Sequence, residues 1–108
     1  MNYNFDGCRY SSCLIDLLTQ LQAVQVLFEK YDNDYQGFVD VDVLLSDGRV
    51  FSYAYSYGSC SGCDEWENLG LSTEEIKKTM LTEATIFNSI EEYNKWILMT
   101  NNRNVIRR

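Results

Sequence analysis

Residues 38–57 read FVDVDVLLSDGRVFSYAYSY. Residues 38–45 alternate in polarity, Asp47-Gly48 interrupts, and residues 49–57 alternate again. An Asp-Gly pair between two alternating runs is the signature of a β-hairpin with a two-residue type I′ turn. With Asp47 and Gly48 as the turn residues, Leu45 stands opposite Val50, Val43 opposite Ser52, Val41 opposite Ala54 and Val39 opposite Ser56. That face is aliphatic on one strand and small on the other, which suits a helix lying across it. The second face pairs Leu44 with Phe51, Asp42 with Tyr53, Asp40 with Tyr55 and Phe38 with Tyr57. This register makes one face of the ribbon aromatic and anionic at once.

Upstream, Leu14, Leu17, Leu18, Leu21, Val24 and Phe28 recur at three- and four-residue steps. This spacing predicts one amphipathic helix over residues 13–31. Ser11 and Ser12 supply the N-cap oxygen, Asp16 sits in the first turn, and Asp32-Asn33-Asp34 stops the helix. Downstream of Tyr57 comes a turn-rich loop, GSCSGCDEWENLG. Ser72 and Glu75 form a capping box ahead of Ile76 and Met80, and Ser89 and Glu92 form a second one ahead of Tyr93, Trp96 and Ile97. Residues 84–87 read as a short third strand, and the last helix covers residues 90–99. A hairpin alone is marginal in water. The expected fold is therefore α+β: a small antiparallel sheet built on the hairpin, packed on one face by the N-terminal helix, with two short C-terminal helices. No linker or repeat divides residues 1–108, so one domain is expected, with 101–108 as a flexible basic tail.

The chain has 108 residues and four cysteines, Cys8, Cys13, Cys60 and Cys63. The start MNYNFDGC lacks signal-peptide form, so a reducing cytosol is expected. There free cysteine acts as a small buried hydrophobe, and this is the preferred reading. The alternative is a structural zinc held by all four thiolates. The Cys60–Cys63 spacing suits half of a zinc knuckle, while the Cys8–Cys13 spacing does not. Thioredoxin-like chemistry is disfavoured, because Asp64, Glu65 and Glu67 follow at once and negative charge raises a thiol pKa.

The string Tyr57-Gly58-Ser59-Cys60-Ser61-Gly62-Cys63-Asp64, with Trp66 close behind, resembles a motif of a small uncharacterised phage-encoded protein family. In that family too, an aromatic-rich strand enters the motif and a short helix with tryptophan follows, here residues 88–96. The resemblance covers residues 49–98. It implies a phage or mobile-element accessory protein working in the host bacterial cytoplasm, and it carries no assigned activity.

Sixteen acidic residues against nine basic ones give a net charge of −7. Nucleic acid and anionic membranes recruit cationic faces, so neither is the expected partner. No apolar run approaches the length of a spanning helix. There is no histidine, hence no Ser-His-Asp triad, and no HExxH, GxSxG or phosphate-binding glycine loop with its lysine. Asp32, Asn33, Asp34 and Gly37 lack calcium-loop spacing. No cofactor is expected, and a binding protein is preferred over an enzyme. The expected docking face carries Asp40, Asp42, Tyr53, Tyr55 and Tyr57, with Asp64, Glu65 and Glu67 at its rim. Tyrosine offers large contact area at low entropic cost, and an anionic stripe can occupy a basic groove on another protein. The expected partner is a host protein with a basic surface, inhibited in the manner of an anti-CRISPR protein. Two alternatives stand beside this. One is sequestration of a nucleotide signal by ring stacking, for which Arg9, Arg49, Lys77 and Lys78 are the available cations. The other is a zinc-stabilised adaptor. A tyrosine-rich strand is also a surface on which a homodimer could form.

Overall fold

A computed structural model describes residues 2–33, 37–58 and 65–100. The element order is α1 (Ser11–Gln20), β1 (Ala23–Asp32), β2 (Gly37–Leu45), β3 (Val50–Tyr57), α2 (Glu65–Leu69), α3 (Thr73–Glu83), β4 (Thr85–Phe87) and α4 (Ile90–Thr100). The strands form one antiparallel meander in the order β1-β2-β3-β4. The α+β class is as expected: an antiparallel sheet with the N-terminal helix on one face and two helices toward the C-terminus.

The long first helix is not formed. It ends at Gln20, and residues 23–32 become the edge strand β1. Leu21 caps the helix by donating its N–H to Leu17, and Gln22 then turns the chain at φ 61°. The segment AVQVLFEKYD is rich in β-branched and aromatic residues, and β2 offers it a full ladder of hydrogen bonds. Helical spacing in residues 23–28 was coincidental. The expected serine cap is also absent: Tyr10, at φ 65°, precedes the helix without a side-chain cap. Ser11 instead accepts the Gly7 N–H at 3.2 Å.

The hairpin is present, but its register differs by one residue from the expected one. Leu44 stands opposite Val50, Val43 opposite Phe51, Val41 opposite Tyr53 and Val39 opposite Tyr55. The loop has three residues, Ser46-Asp47-Gly48, not two. The Gly48 N–H closes a turn on the Leu45 carbonyl at 3.0 Å, and Leu45 N–H meets the Arg49 carbonyl at 2.8 Å. Gly48 is left-handed at φ 93°, whereas Asp47 is not, so a type I′ turn is excluded. Asp47 supports the turn by accepting both the backbone N–H of Arg49 (3.0 Å) and its Nε (2.7 Å).

A one-residue slip carries every side chain of a strand to the other face. Valines and aromatic rings consequently share one face, and Asp40 and Asp42 lie on the other beside Ala54 and Ser52. Cross-strand pairs of β-branched with aromatic residues stabilise a sheet by about 0.2–1 kcal/mol each. Sorting apolar from charged side chains adds roughly 1.5 kcal/mol or more for every large side chain fully buried. On the apolar face, Leu14, Leu17 and Leu18 of α1, Ile76 and Met80 of α3, and Phe5 of the N-terminal segment complete the core. On the opposite face Tyr93 of α4 reaches Asp42.

The expected capping box at Ser72 is complete, and the serine half of the one expected at Ser89 is formed. Ser72 Oγ accepts the Glu75 N–H, and Glu75 returns a carboxylate to the Ser72 N–H. Ser89 Oγ accepts the Glu92 N–H at 3.2 Å. The short third strand of the sequence reading is β4, and α2 is a further short helix within the segment expected as loop.

Candidate functional site

The three strand tyrosines expected on a docking face are core residues. Tyr53 is 2% exposed, Tyr55 8% and Tyr57 7%. Their rings line up along β3, with centroids 6.0 Å apart for Tyr53–Tyr55 and 6.2 Å for Tyr55–Tyr57. Tyr10 and Trp66 pack against them, the Tyr10–Trp66 centroids being 5.0 Å apart. Each hydroxyl finds an acceptor where the core meets polar groups. Tyr53 donates to Glu83 (3.0 Å), Tyr55 to the Arg9 carbonyl (2.6 Å) and Tyr57 to the Asp32 carbonyl (3.2 Å). This is how a buried phenol is tolerated: the ring supplies apolar area while the hydroxyl stays paired. Burial pushes the Tyr55 phenol far above its ordinary range. Tyr57 is raised as well, first by burial and then by its contact with Cys8.

The carboxylates of the expected site lie apart from these rings. Asp42 is fully buried, and Tyr93 of α4 donates its hydroxyl to Asp42 Oδ2 at 2.6 Å. Asp40 is buried two residues away on the same face. Buried carboxylates are costly unless they accept hydrogen bonds, and α4 meets that need for Asp42. Glu67 is exposed and pairs with Arg9 at 2.5 Å. Glu65 opens α2, and Asp64 lies outside the described residues. The acidic, tyrosine-bearing face is thus divided: phenols on one side of the sheet, Asp40 and Asp42 on the other, Glu67 at the surface. The rings proposed to stack on a nucleotide are the same core rings.

Arg9, expected only as a cation available to a nucleotide, joins three segments. Its Nη1 donates to the Gly58 carbonyl at 2.9 Å, its Nη2 meets Glu67, and its guanidinium sits 5.7 Å from the Tyr10 ring centre. Both flanks of residues 59–64 are therefore tied to the turn that carries Cys8. Nothing in the local sequence around Arg9 signals this role. A lone arginine becomes a clamp only when a distant carbonyl and carboxylate are brought to it.

Cys8 and Cys13 are free and buried. Burial raises both thiol pKa values, the neighbouring Tyr57 hydroxyl offsetting part of the rise at Cys8 and Ser12 part of it at Cys13. These are environments of protonated thiols packed as small hydrophobes. Cys60 and Cys63 lie outside the described residues. Among the described residues, no group of three or more His, Cys, Asp or Glu could hold a metal ion.

A groove of about 360 Å³ runs between α1 and α3, floored by Leu17 and Leu81 and edged by Gln20, Glu75 and Lys78. Beneath it Lys77 is buried and bridges the two helices, with Nζ 2.6 Å from Asp16 Oδ2 and 3.0 Å from Glu74 Oε1. The Asp16 hydrogen bond first, and Glu74 second, raise its pKa and hold it charged. Among the described residues, no helix is long and apolar enough to cross a membrane.

Compared with known proteins, the chain matches no family model, no curated protein and no solved structure.

Proposed function

We propose that this chain is a phage accessory protein that works in the host bacterial cytoplasm and inhibits a defence or nucleic-acid-handling protein by direct binding, in the manner of an anti-CRISPR protein. The observation that carries the reading is the charge of the exposed surface. Among the described residues, nine exposed carboxylates stand against four exposed bases, and one of those bases, Arg9, is paired with Glu67. A surface of this sign favours encounter with a cationic partner and speeds it at low salt. With the tyrosines in the core, contact falls to carboxylates on the helical side, including Glu67 of α2, Glu74 of α3, and Glu91 and Glu92 at the start of α4. The motif at residues 57–64 supports the phage origin.

Capture from bacterial lysate on the immobilised chain tests this. The expected result is one basic host protein, released by moderate salt and held more weakly by a chain carrying Glu91→Gln and Glu92→Gln. Capture of nothing above background counts against the reading. A thermal shift of several degrees with a single nucleotide, and no protein partner, supports the sequestration alternative instead.

A second reading, the zinc-stabilised adaptor, is favoured by the Arg9 clamp. Gly58 and Glu67 are both held by Arg9, the residue after Cys8, and the sequence puts Cys60 two residues beyond Gly58 and Cys63 two residues before Glu65. Elemental analysis of protein purified under reducing conditions decides it. One zinc per chain supports the reading, and zinc far below stoichiometry removes it.

A further inference from the structure

Helix α4 sorts its side chains into two arcs. Tyr93, Trp96 and Ile97 fall on the inner one, where the Phe87 ring of β4 lies 5.6 Å from that of Tyr93 and 5.3 Å from that of Trp96. With 3.6 residues to a turn, Glu91, Glu92, Lys95, Leu98 and Met99 fall on the outer arc. All five are exposed. Leu98 is 79% exposed and Met99 75%, the two highest values for a large apolar side chain among the described residues. A single exposed apolar residue is ordinary, but a neighbouring pair beside charges marks a contact surface. The fold gains little from either, since both project away from the ring contacts that hold α4.

Leu98 follows Glu91, and Met99 follows Glu92, by seven residues. Each apolar side chain therefore stands two turns, about 10 Å, along the helix from a carboxylate. Lys95 lies between and offsets one of the two negative charges. The face is apolar at one end and anionic at the other, and that pattern decides the occupant. A second copy laid antiparallel over the whole face would centre on Lys95, setting amine against amine and each glutamate against a leucine or methionine. An anionic bilayer would repel Glu91 and Glu92. A basic amphipathic helix meets both ends: its apolar stripe covers Leu98 and Met99, and its flanking lysines or arginines meet the two carboxylates. We propose that the outer face of α4 docks such a helix, contributed by the partner protein. This inference rests on the docking reading above and names its surface and the chemistry of its partner. Met99 suits the role, because an unbranched thioether adapts to the side chains that meet it.

The probe is a synthetic helix of about 20 residues, with a leucine stripe flanked by lysines. Its binding to the purified full chain is read by fluorescence anisotropy. The expected Kd is about 100 μM or below at low salt, rising as salt is added. A peptide with glutamates in place of the lysines should bind about tenfold more weakly or worse. Leu98→Asp should weaken the lysine peptide by about tenfold as well, although it adds a negative charge that by attraction alone would tighten binding. Glu91→Lys should also weaken it. Asp6→Lys makes the same charge change at an exposed carboxylate of the N-terminal segment, and should shift Kd by less than about threefold. Circular dichroism confirms folding of each variant, and Leu98→Gln gives the second reading should Leu98→Asp not fold. No binding at about 1 mM peptide overturns the proposal. So does a Leu98 variant that leaves the affinity unchanged or raises it, or an Asp6→Lys effect as large as that of Glu91→Lys. The lysate experiment is separate. Peptide binding that answers to Leu98 upholds this surface even where no host protein is captured. A captured host protein held equally by the Leu98→Asp chain overturns this inference and leaves the inhibitor reading standing.

Discussion

Removing the Tyr93 hydroxyl tests the register of the sheet directly. In the observed register Asp42 faces α4 and accepts the Tyr93 hydroxyl at 2.6 Å in a buried setting. In the two-residue-turn register it would stand opposite Tyr53. Hydrogen bonds to charged groups contribute about 1.5–3 kcal/mol, and loss of one leaves a buried carboxylate less well satisfied. Tyr93→Phe should therefore cost about 2 kcal/mol. With an unfolding entropy near 2.1 cal/mol/K per residue, that lowers Tm by about 9 °C for a chain of this length. The assay is a double-mutant cycle by urea denaturation, using Tyr93→Phe and Asp42→Asn singly and together. The two changes should couple by about 1 kcal/mol or more, whereas Tyr53→Phe and Asp42→Asn, on opposite faces, should add within about 0.5 kcal/mol. A Tyr93→Phe effect inside the ±0.5 kcal/mol of an ordinary surface change would refute the reasoning. Coupling of Asp42 to Tyr53 as strong as to Tyr93 would refute it too.

Three further outcomes follow from single residues. Gly48→Ala should destabilise by about 1 kcal/mol in chemical denaturation, because Gly48 sits at φ 93° with open space around it, so the cost is backbone strain alone. Gly37→Ala should cost more, about 3 kcal/mol or above, since a methyl group there would overlap the Asp32 carbonyl and the Tyr57 hydroxyl; a loss under 1 kcal/mol would show that this end of the hairpin yields easily. Tyr3 is held neutral by burial first and Glu29 second, its pKa pushed from 10.0 up to about 12. The unfolded chain releases that proton near pH 10 and the folded chain near pH 12, so the contribution is intact below pH 10 and is lost as pH rises to about 12. Tyr3→Phe should flatten this alkaline decline in stability, and phenolate absorbance should show one fewer late-titrating tyrosine.

The sequence by itself determined the elements whose signals are local. Ser72 with Glu75 and Ser89 with Glu92 started their helices because each cap is satisfied within four residues. Asp47-Gly48 located the hairpin, since a left-handed turn residue demands glycine wherever the strands end up. Tertiary structure decided everything that depended on a partner. Residues 23–28 carry helical spacing, yet they became β1 because β2 offered them a ladder that an isolated helix could not match. The loop took three residues in place of two because that slip gathers valines, Phe51 and the tyrosines on one face and sends Asp40 and Asp42 to the other. A turn dipeptide specifies where a chain reverses, but the loop length is chosen by the apolar area the whole sheet can bury. Arg9 and Tyr93 show the same division: each is an unremarkable residue along the chain, and each gains its role only when folding brings a carbonyl or a carboxylate within 3 Å.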